Sequence, residues 1–269
     1  MDHDLAAGQR GLDHLASFAI ELAMTARRET LLRSSEHFPV DNKGLDGLFD
    51  PVTEADRAAE KAMRELIEQR YPAHGICGEE FAAKATSSQY EWSLDPIDGT
   101  RSYMCGLPNW TTLIGLLEQG KPVIGLIDAP FLDETYVGID DEAQVIRKGV
   151  RDPIRTSGCL HIDEARFSTT DPFLFGEAEG ALKRILRAVR VTRFGHDGYA
   201  YARLSAGSID LVIECDLKPH DYNALIPVVR AAGGHFGDWH GGVDFAAGNV
   251  IAAASPELYD EAVELLAAV

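Results

Sequence analysis

The 269-residue chain is poor in cysteine, and its four cysteines, Cys77, Cys105, Cys159 and Cys215, are scattered. With no CxxC pair and no Cys/His group, a zinc knuckle or a thioredoxin-like redox site is not expected, and the isolated thiols read as small buried hydrophobes of a reducing compartment. Long apolar runs are missing too. The best stretch, Leu15 to Ala26, is interrupted by Glu21 and falls short of the ~18 residues that suggest a membrane span. The N-terminus, Met1-Asp2-His3-Asp4, carries acid where a signal peptide carries base, so a cytoplasmic location is expected. Base is scarce throughout: 25 Lys+Arg against 43 Asp+Glu leave a net charge of −18. Such a surface repels a phosphate backbone and anionic lipid, which argues against nucleic acid and membrane surfaces as partners and favours cations, metallic or organic.

What is present is a mixture of helical and strand periodicities. Apolar residues from Leu12 to Ala26 recur at helical spacing and predict an amphipathic helix over 10–33. Residues 40–50, rich in Gly and Asp, read as a loop. Thr53, with Asp56 three residues later, reads as the cap of a helix that runs to about Arg70. Strands are predicted at Ser93-Leu94, Thr112–Leu117 and Val123–Ile127, with a hairpin over 134–147. In the second half, helices are expected at Glu177–Val189, Tyr199–Ser205 and Ala224–Ala232, strands at Ile209–Glu214 and Val250–Ala254, and a closing helix from Pro256. This alternation predicts an α/β protein of two lobes, 1–150 and 151–269.

The most informative stretch is Trp92-Ser93-Leu94-Asp95-Pro96-Ile97-Asp98-Gly99-Thr100. An apolar strand ending at Asp95 places two carboxylates, three residues apart, beside the amides of Gly99 and Thr100 at a helix start. Acids and anion-binding amides share a site without conflict only if a cation sits between them. An all-oxygen donor set without Cys or His favours Mg²⁺. An isolated Asp-Gly is more often a capped turn. Two further elements weigh against that reading: Gly78-Glu79-Glu80 after a short apolar piece, and Lys218-Pro219-His220-Asp221 before a helix.

In this order, Gly78-Glu79-Glu80, Asp95-Pro96-Ile97-Asp98-Gly99-Thr100 and Asp221, with Asp50-Pro51-Val52-Thr53-Glu54-Ala55-Asp56 upstream, resemble the signatures of the inositol monophosphatase superfamily of magnesium-dependent, lithium-sensitive phosphatases. The five fixed residues of D-P-x-D-G-T arise by chance in on the order of one in ten thousand chains of this length. The resemblance implies a layered αβαβα sandwich, a homodimer and a site for two or three Mg²⁺. It implies that Glu79, Asp95 and the carbonyl of Ile97 hold one ion, and that Asp95, Asp98 and Asp221 hold a second. Lys43 and Asp56 would influence a loop beside a third. Thr100 and Glu79 would orient a water and accept its proton, with the Gly99 and Thr100 amides on the phosphoryl oxygens and no covalent enzyme intermediate.

Arg101-Ser102-Tyr103, Gly106 to Ile114, Asp197-Gly198-Tyr199-Ala200-Tyr201 and Leu217-Lys218-Pro219-His220-Asp221 resemble the histidinol-phosphate phosphatase branch. The chain departs from that branch at Gly198, where Cys is usual, and at His220, where Tyr is usual. Histidinol phosphate carries an ammonium and an imidazole, so its pocket needs acids beyond the metal ligands. Asp197 and Glu214 are the residues the resemblance places there, with Asp221 also beside the substrate. Asp197 could instead cap the helix near Tyr199. Arg193 and His196 are as consistent with surface groups as with contacts, and Tyr199 and Trp110 with support residues. Other small phosphomonoesters (inositol phosphate, fructose bisphosphate, a 3′-phosphoadenosine nucleotide) and a non-catalytic relative are the competing readings.

Overall fold

The computed structural model describes residues 2–34, 41–42, 51–52 and 54–268. Lys43, Asp50, Thr53 and the rest of the 43–50 segment lie outside them. Helix α1 spans Asp2–Arg33, and the short strands β1 (Asp41–Asn42) and β2 (Pro51–Val52) precede α2 (Glu54–Arg70). Then come β3 (Gly75–Gly78), β4 (Tyr90–Asp98), α3 (Thr100–Met104), β5 (Thr111–Glu118), β6 (Lys121–Ala129), β7 (Glu134–Ile139), β8 (Glu142–Arg147) and β9 (Val150–Pro153). The remainder is β10 (Arg166–Thr169), α4 (Glu179–Ala188), β11 (Val191–Phe194), α5 (Asp197–Ser205), β12 (Leu211–Glu214), α6 (Pro219–Tyr222), α7 (Leu225–Ala231), β13 (His235–Asp238), β14 (Val250–Ala253) and α8 (Pro256–Ala267). Among the described residues no helix is long and apolar enough to cross a membrane.

Two sheets organise the chain. The first runs β3-β4-β5-β6-β7-β8-β9, a meander with only β3 parallel to its neighbour. The second runs β11-β10-β12-β14-β13, parallel about β10 and antiparallel about β14. Side chains alternate across each strand, so consecutive residues enter different cores. Ile114 packs with Phe18, Leu22 and Met63 of α1 and α2, whereas Leu113 packs with Tyr201, Leu225 and Val228 of α5 and α7. In the second sheet Val212 joins that same central layer, while Leu211 and Ile213 face Leu182 of α4 and Leu258 of α8. The result is a five-layer αβαβα sandwich, with α5 and α7 between the sheets. Gly125 makes the close packing there possible, because a Cβ on it would stand 2.0 Å from the Ala224 carbonyl oxygen.

Strand alternation also positions the acids. Trp92 and Leu94 point into the α1/α2 core, so Ser93 and Asp95 point to the opposite face. There Asn223, just after α6, donates to Ser93 Oγ at 3.2 Å, which fixes α6 and its Asp221 against the Asp95 side of β4. One expectation is corrected: β4 does not stop at Asp95. It passes through an irregularity between Asp95 and Asp98 and pairs again at Asp98–Thr111, because Thr112 Oγ1 takes the Pro96 carbonyl at 2.7 Å and Thr111 Oγ1 takes Asp98.

Candidate active site

The Asp95–Thr100 segment is built from local bonds. Asp95 Oδ1 accepts the Ile97 N–H at 3.1 Å, and Thr100 Oγ1 donates to the Ile97 carbonyl at 3.0 Å. Gly99 turns the chain into α3 with φ of +83°, in the left-handed region that glycine enters without strain. A Cβ there would also stand 2.9 Å from Asp197 Oδ2, so the glycine admits a carboxylate from the other half of the chain.

That half arrives through α5. Gly198 N–H and Thr111 Oγ1 both donate to Asp98 Oδ2, the second at 2.8 Å. A Cβ on Gly198 would stand 2.5 Å from the same oxygen, which accounts for glycine here. Asp197 begins α5 with a positive φ of 46° and His196 as the preceding residue. It is not an N-cap of a helix starting at Tyr199; its carboxylate is turned towards Gly99.

Four acids line one cavity of about 150 Å³: Asp98, Asp197, Glu214 and Asp221, with Thr170, Leu174 and Tyr201 among its other walls. Glu214 is held by the Thr170 N–H at 2.7 Å and by the hydroxyls of Thr170 and Thr169 at 3.0 and 3.1 Å. Burial nevertheless lifts its carboxyl to about 8, with the charge of Asp197 adding to the rise. Asp221 Oδ2 accepts the Lys218 N–H at 2.6 Å, a reciprocal cap, and its Oδ1 lies 3.4 Å from His220 Nε2.

Electrostatically these residues form one group with Asp95 and Glu79. Asp95 is held well above the ordinary carboxylate range by burial, then by the charges of Glu79, Asp98, Asp221 and Asp56. Asp98 is held up by burial, then by Asp197 and Asp221. Asp197 and Asp221 are raised as well, burial again leading. Among the described residues, no three Asp, Glu, His or Cys side chains close into a finished metal-binding group. The donor set nonetheless fits a hard divalent cation: all oxygen, partly dehydrated, and mutually repelling unless countered by positive charge. Asp95, Asp98 and Asp221 each have one oxygen held by a backbone N–H.

The expected residues divide accordingly. Asp95, Asp98, Asp221 and Glu79 are gathered, Asp197 and Glu214 join them, and Asp56 is buried within reach of Asp95. Arg193 and His196 are absent from the cavity wall. Tyr199 is engaged with Glu134 at 3.1 Å and Trp110 packs edge-on against Tyr103, both support roles. Sequence reasoning missed Thr169, Thr170, Thr111 and Leu174; a Thr-Thr pair 44 residues before Glu214 leaves no local signal.

The profile of the inositol monophosphatase family matches residues 11–269. The bifunctional phosphatase IMPL2 of Arabidopsis thaliana is 42% identical over 230 residues, 81% of this chain, and the match spans 66% of that protein's length. A histidinol-phosphatase of Streptomyces coelicolor is 33% identical, over 78% of this chain and 82% of its own. An inositol monophosphatase structure from Zymomonas mobilis superposes with a TM-score of 0.83 at 37% identity, covering 94% of this chain and 98% of that one.

Proposed function

Because the chain belongs to the inositol monophosphatase family, we propose that its acid cluster hydrolyses a small phosphate monoester, and that the ester is L-histidinol phosphate. Glu79, Asp95, the Ile97 carbonyl, Asp98 and Asp221 would hold Mg²⁺. When bound, Mg²⁺ supplies countercharge, a more acidic water and stabilisation of the departing oxygen.

The chain's own groups do the rest. The Thr100 hydroxyl, whose proton is committed to the Ile97 carbonyl, offers its lone pairs to the attacking water, and Glu79 takes the water's proton. The amides of Gly99 and Thr100 bind phosphoryl oxygens and keep the phosphorus in line with the attack. Asp98 is oriented for its role by Gly198 and Thr111.

The observation that carries the substrate reading is the placement of Asp197 and Glu214 on the same cavity as Asp98 and Asp221. Those two acids exceed what the metal ligands require. Asp197 faces a cationic ammonium best, and Glu214, held by two threonines, accepts from an imidazolium or a hydroxyl. Similarity to a histidinol-phosphatase supports the same choice. Initial rates on histidinol phosphate, inositol 1-phosphate and p-nitrophenyl phosphate at millimolar Mg²⁺, with Li⁺ as challenger, test it. A kcat/KM favouring histidinol phosphate is expected; a preference for inositol 1-phosphate overturns the substrate, and no turnover of any ester overturns the enzyme.

A further inference from the structure

Glu60 is an acid with no place in the reaction, yet it is completely buried. It stands on α2 one turn before Arg64, whose Nε donates to Glu60 Oε1 at 2.7 Å. The other carboxylate oxygen accepts the Glu80 N–H at 2.7 Å. Arg64 continues past Glu60, donating to the carbonyls of Phe81 at 3.1 Å and Ala82 at 3.2 Å. A Cβ on Gly78 would stand 2.1 Å from Glu60 Oε1, so the carboxylate fills the space beside that glycine. One ion pair therefore holds the backbone of residues 80–82 by three hydrogen bonds and packs against Gly78.

The residue inside this grip is Glu79. Its own N–H donates to the Leu94 carbonyl at 3.2 Å, one residue before Asp95. Glu79 is thus suspended between β4 on one side and α2 on the other. A buried ion pair contributes little net stability over apolar packing; what this one supplies is a fixed backbone. We propose that Glu60 and Arg64 are positioning residues that set where the Glu79 carboxylate stands for the divalent cation. The inference rests on Glu79 being a metal ligand, as in the function proposed above.

In the amide Glu60→Gln, an NH₂ must face either the Arg64 Nε–H or the Glu80 N–H, so one donor loses its acceptor. Arg64→Lys keeps the charge and drops the fork that reaches Phe81 and Ala82. Both variants, with Glu79→Gln and the unaltered chain, are to be compared metal-free by backbone hydrogen exchange and then titrated with Mg²⁺ by calorimetry. Expected are faster exchange at Glu80 and its neighbours, unchanged protection in β5–β7, and Mg²⁺ affinity lowered about 10-fold or more, the scale for residues that orient metal ligands. Unchanged Mg²⁺ affinity in Glu60→Gln and Arg64→Lys, with weakened binding in Glu79→Gln, overturns the inference and leaves the function standing. Unchanged affinity in Glu79→Gln overturns the ligand assignment itself and the inference with it. Loss of protection throughout both clamp variants makes the pair merely structural and also overturns it.

Discussion

Two groups of buried carboxylates in this molecule receive opposite treatment. Asp128, on β6, is fully buried and answered by Arg27 of α1 at 2.6 and 3.0 Å and by Thr135 at 2.6 Å. Asp210 is likewise enclosed; burial pushes it up, but bonds from Arg166 and Ser157 carry its carboxyl below the ordinary value. At the end of β4 the acids face one another instead, and burial and mutual charge together hold Asp95 and Asp98 high. A chain that supplies an arginine to its structural acids and supplies more acids to this cluster has left the second group's charge to be answered by a ligand. That contrast, more than acidity itself, is what supports the proposed function at the second group.

The sharpest way to break the comparison is to treat the two groups alike. Asp128→Ala removes the buried half of the pair and leaves half-buried Arg27 with Asp133 at 2.6 Å and Thr135 at 3.2 Å, so it should cost about 1.5–3 kcal/mol of stability, read by urea unfolding, with turnover per folded molecule retained. Asp98→Asn should do the reverse. Rates on any phosphate ester fall by about 10²–10³-fold, while the melting temperature holds or rises as one repelling charge is removed. Near-normal turnover in Asp98→Asn would place the chemistry elsewhere.

Smaller effects sharpen the picture within the cavity. Asp197→Asn should lower kcat/KM for histidinol phosphate by about 10–100-fold, the value of one hydrogen bond to a charged group, and spare p-nitrophenyl phosphate. Equal loss on both substrates would make Asp197 a structural residue. The least effect is a pH dependence. Glu214, raised to about 8 in the folded chain from an ordinary 4.5, favours the fold while protonated. Its contribution is complete below about 4.5 and is lost as pH rises through about 8. The metal-free protein should therefore melt at lower temperature at pH 8.5 than at pH 6, and Glu214→Gln should reduce that difference by about 2–4 °C for each kcal/mol involved.

Much of this was legible from residues alone, for identifiable reasons. The long helices α1 and α2 and the β5–β7 meander carry strong periodicity, and D-P-I-D-G-T concentrates its donors within six residues. Strands β12 and β14, only four residues each, show as near-continuous apolar runs. The equally short β10, β11 and β13 were not foreseen, because they carry Arg166, Ser168, Arg193, His235 and Asp238 among their residues, and their existence depends on partners far along the chain. The end of β4 was misplaced for a related reason: Pro96 looks like a stop, yet Thr111 and Thr112 across the sheet carry the strand past it. Glu214 was legible as an acid near the site, whereas the threonines that hold it were not, being contributed by a different strand of the second sheet.

The division of the clustered acids between the β3–β4 region and the later elements α5, β12 and α6 has a consequence for how the protein is made. Glu79, Asp95 and Asp98 leave the ribosome more than ninety residues before Asp197, Glu214 and Asp221. The Gly198 bond to Asp98 that joins the halves closes only when the later segment docks. A nascent or truncated chain holds an incomplete set of acids, so under the proposed function the site is completed last, as a certificate of finished assembly.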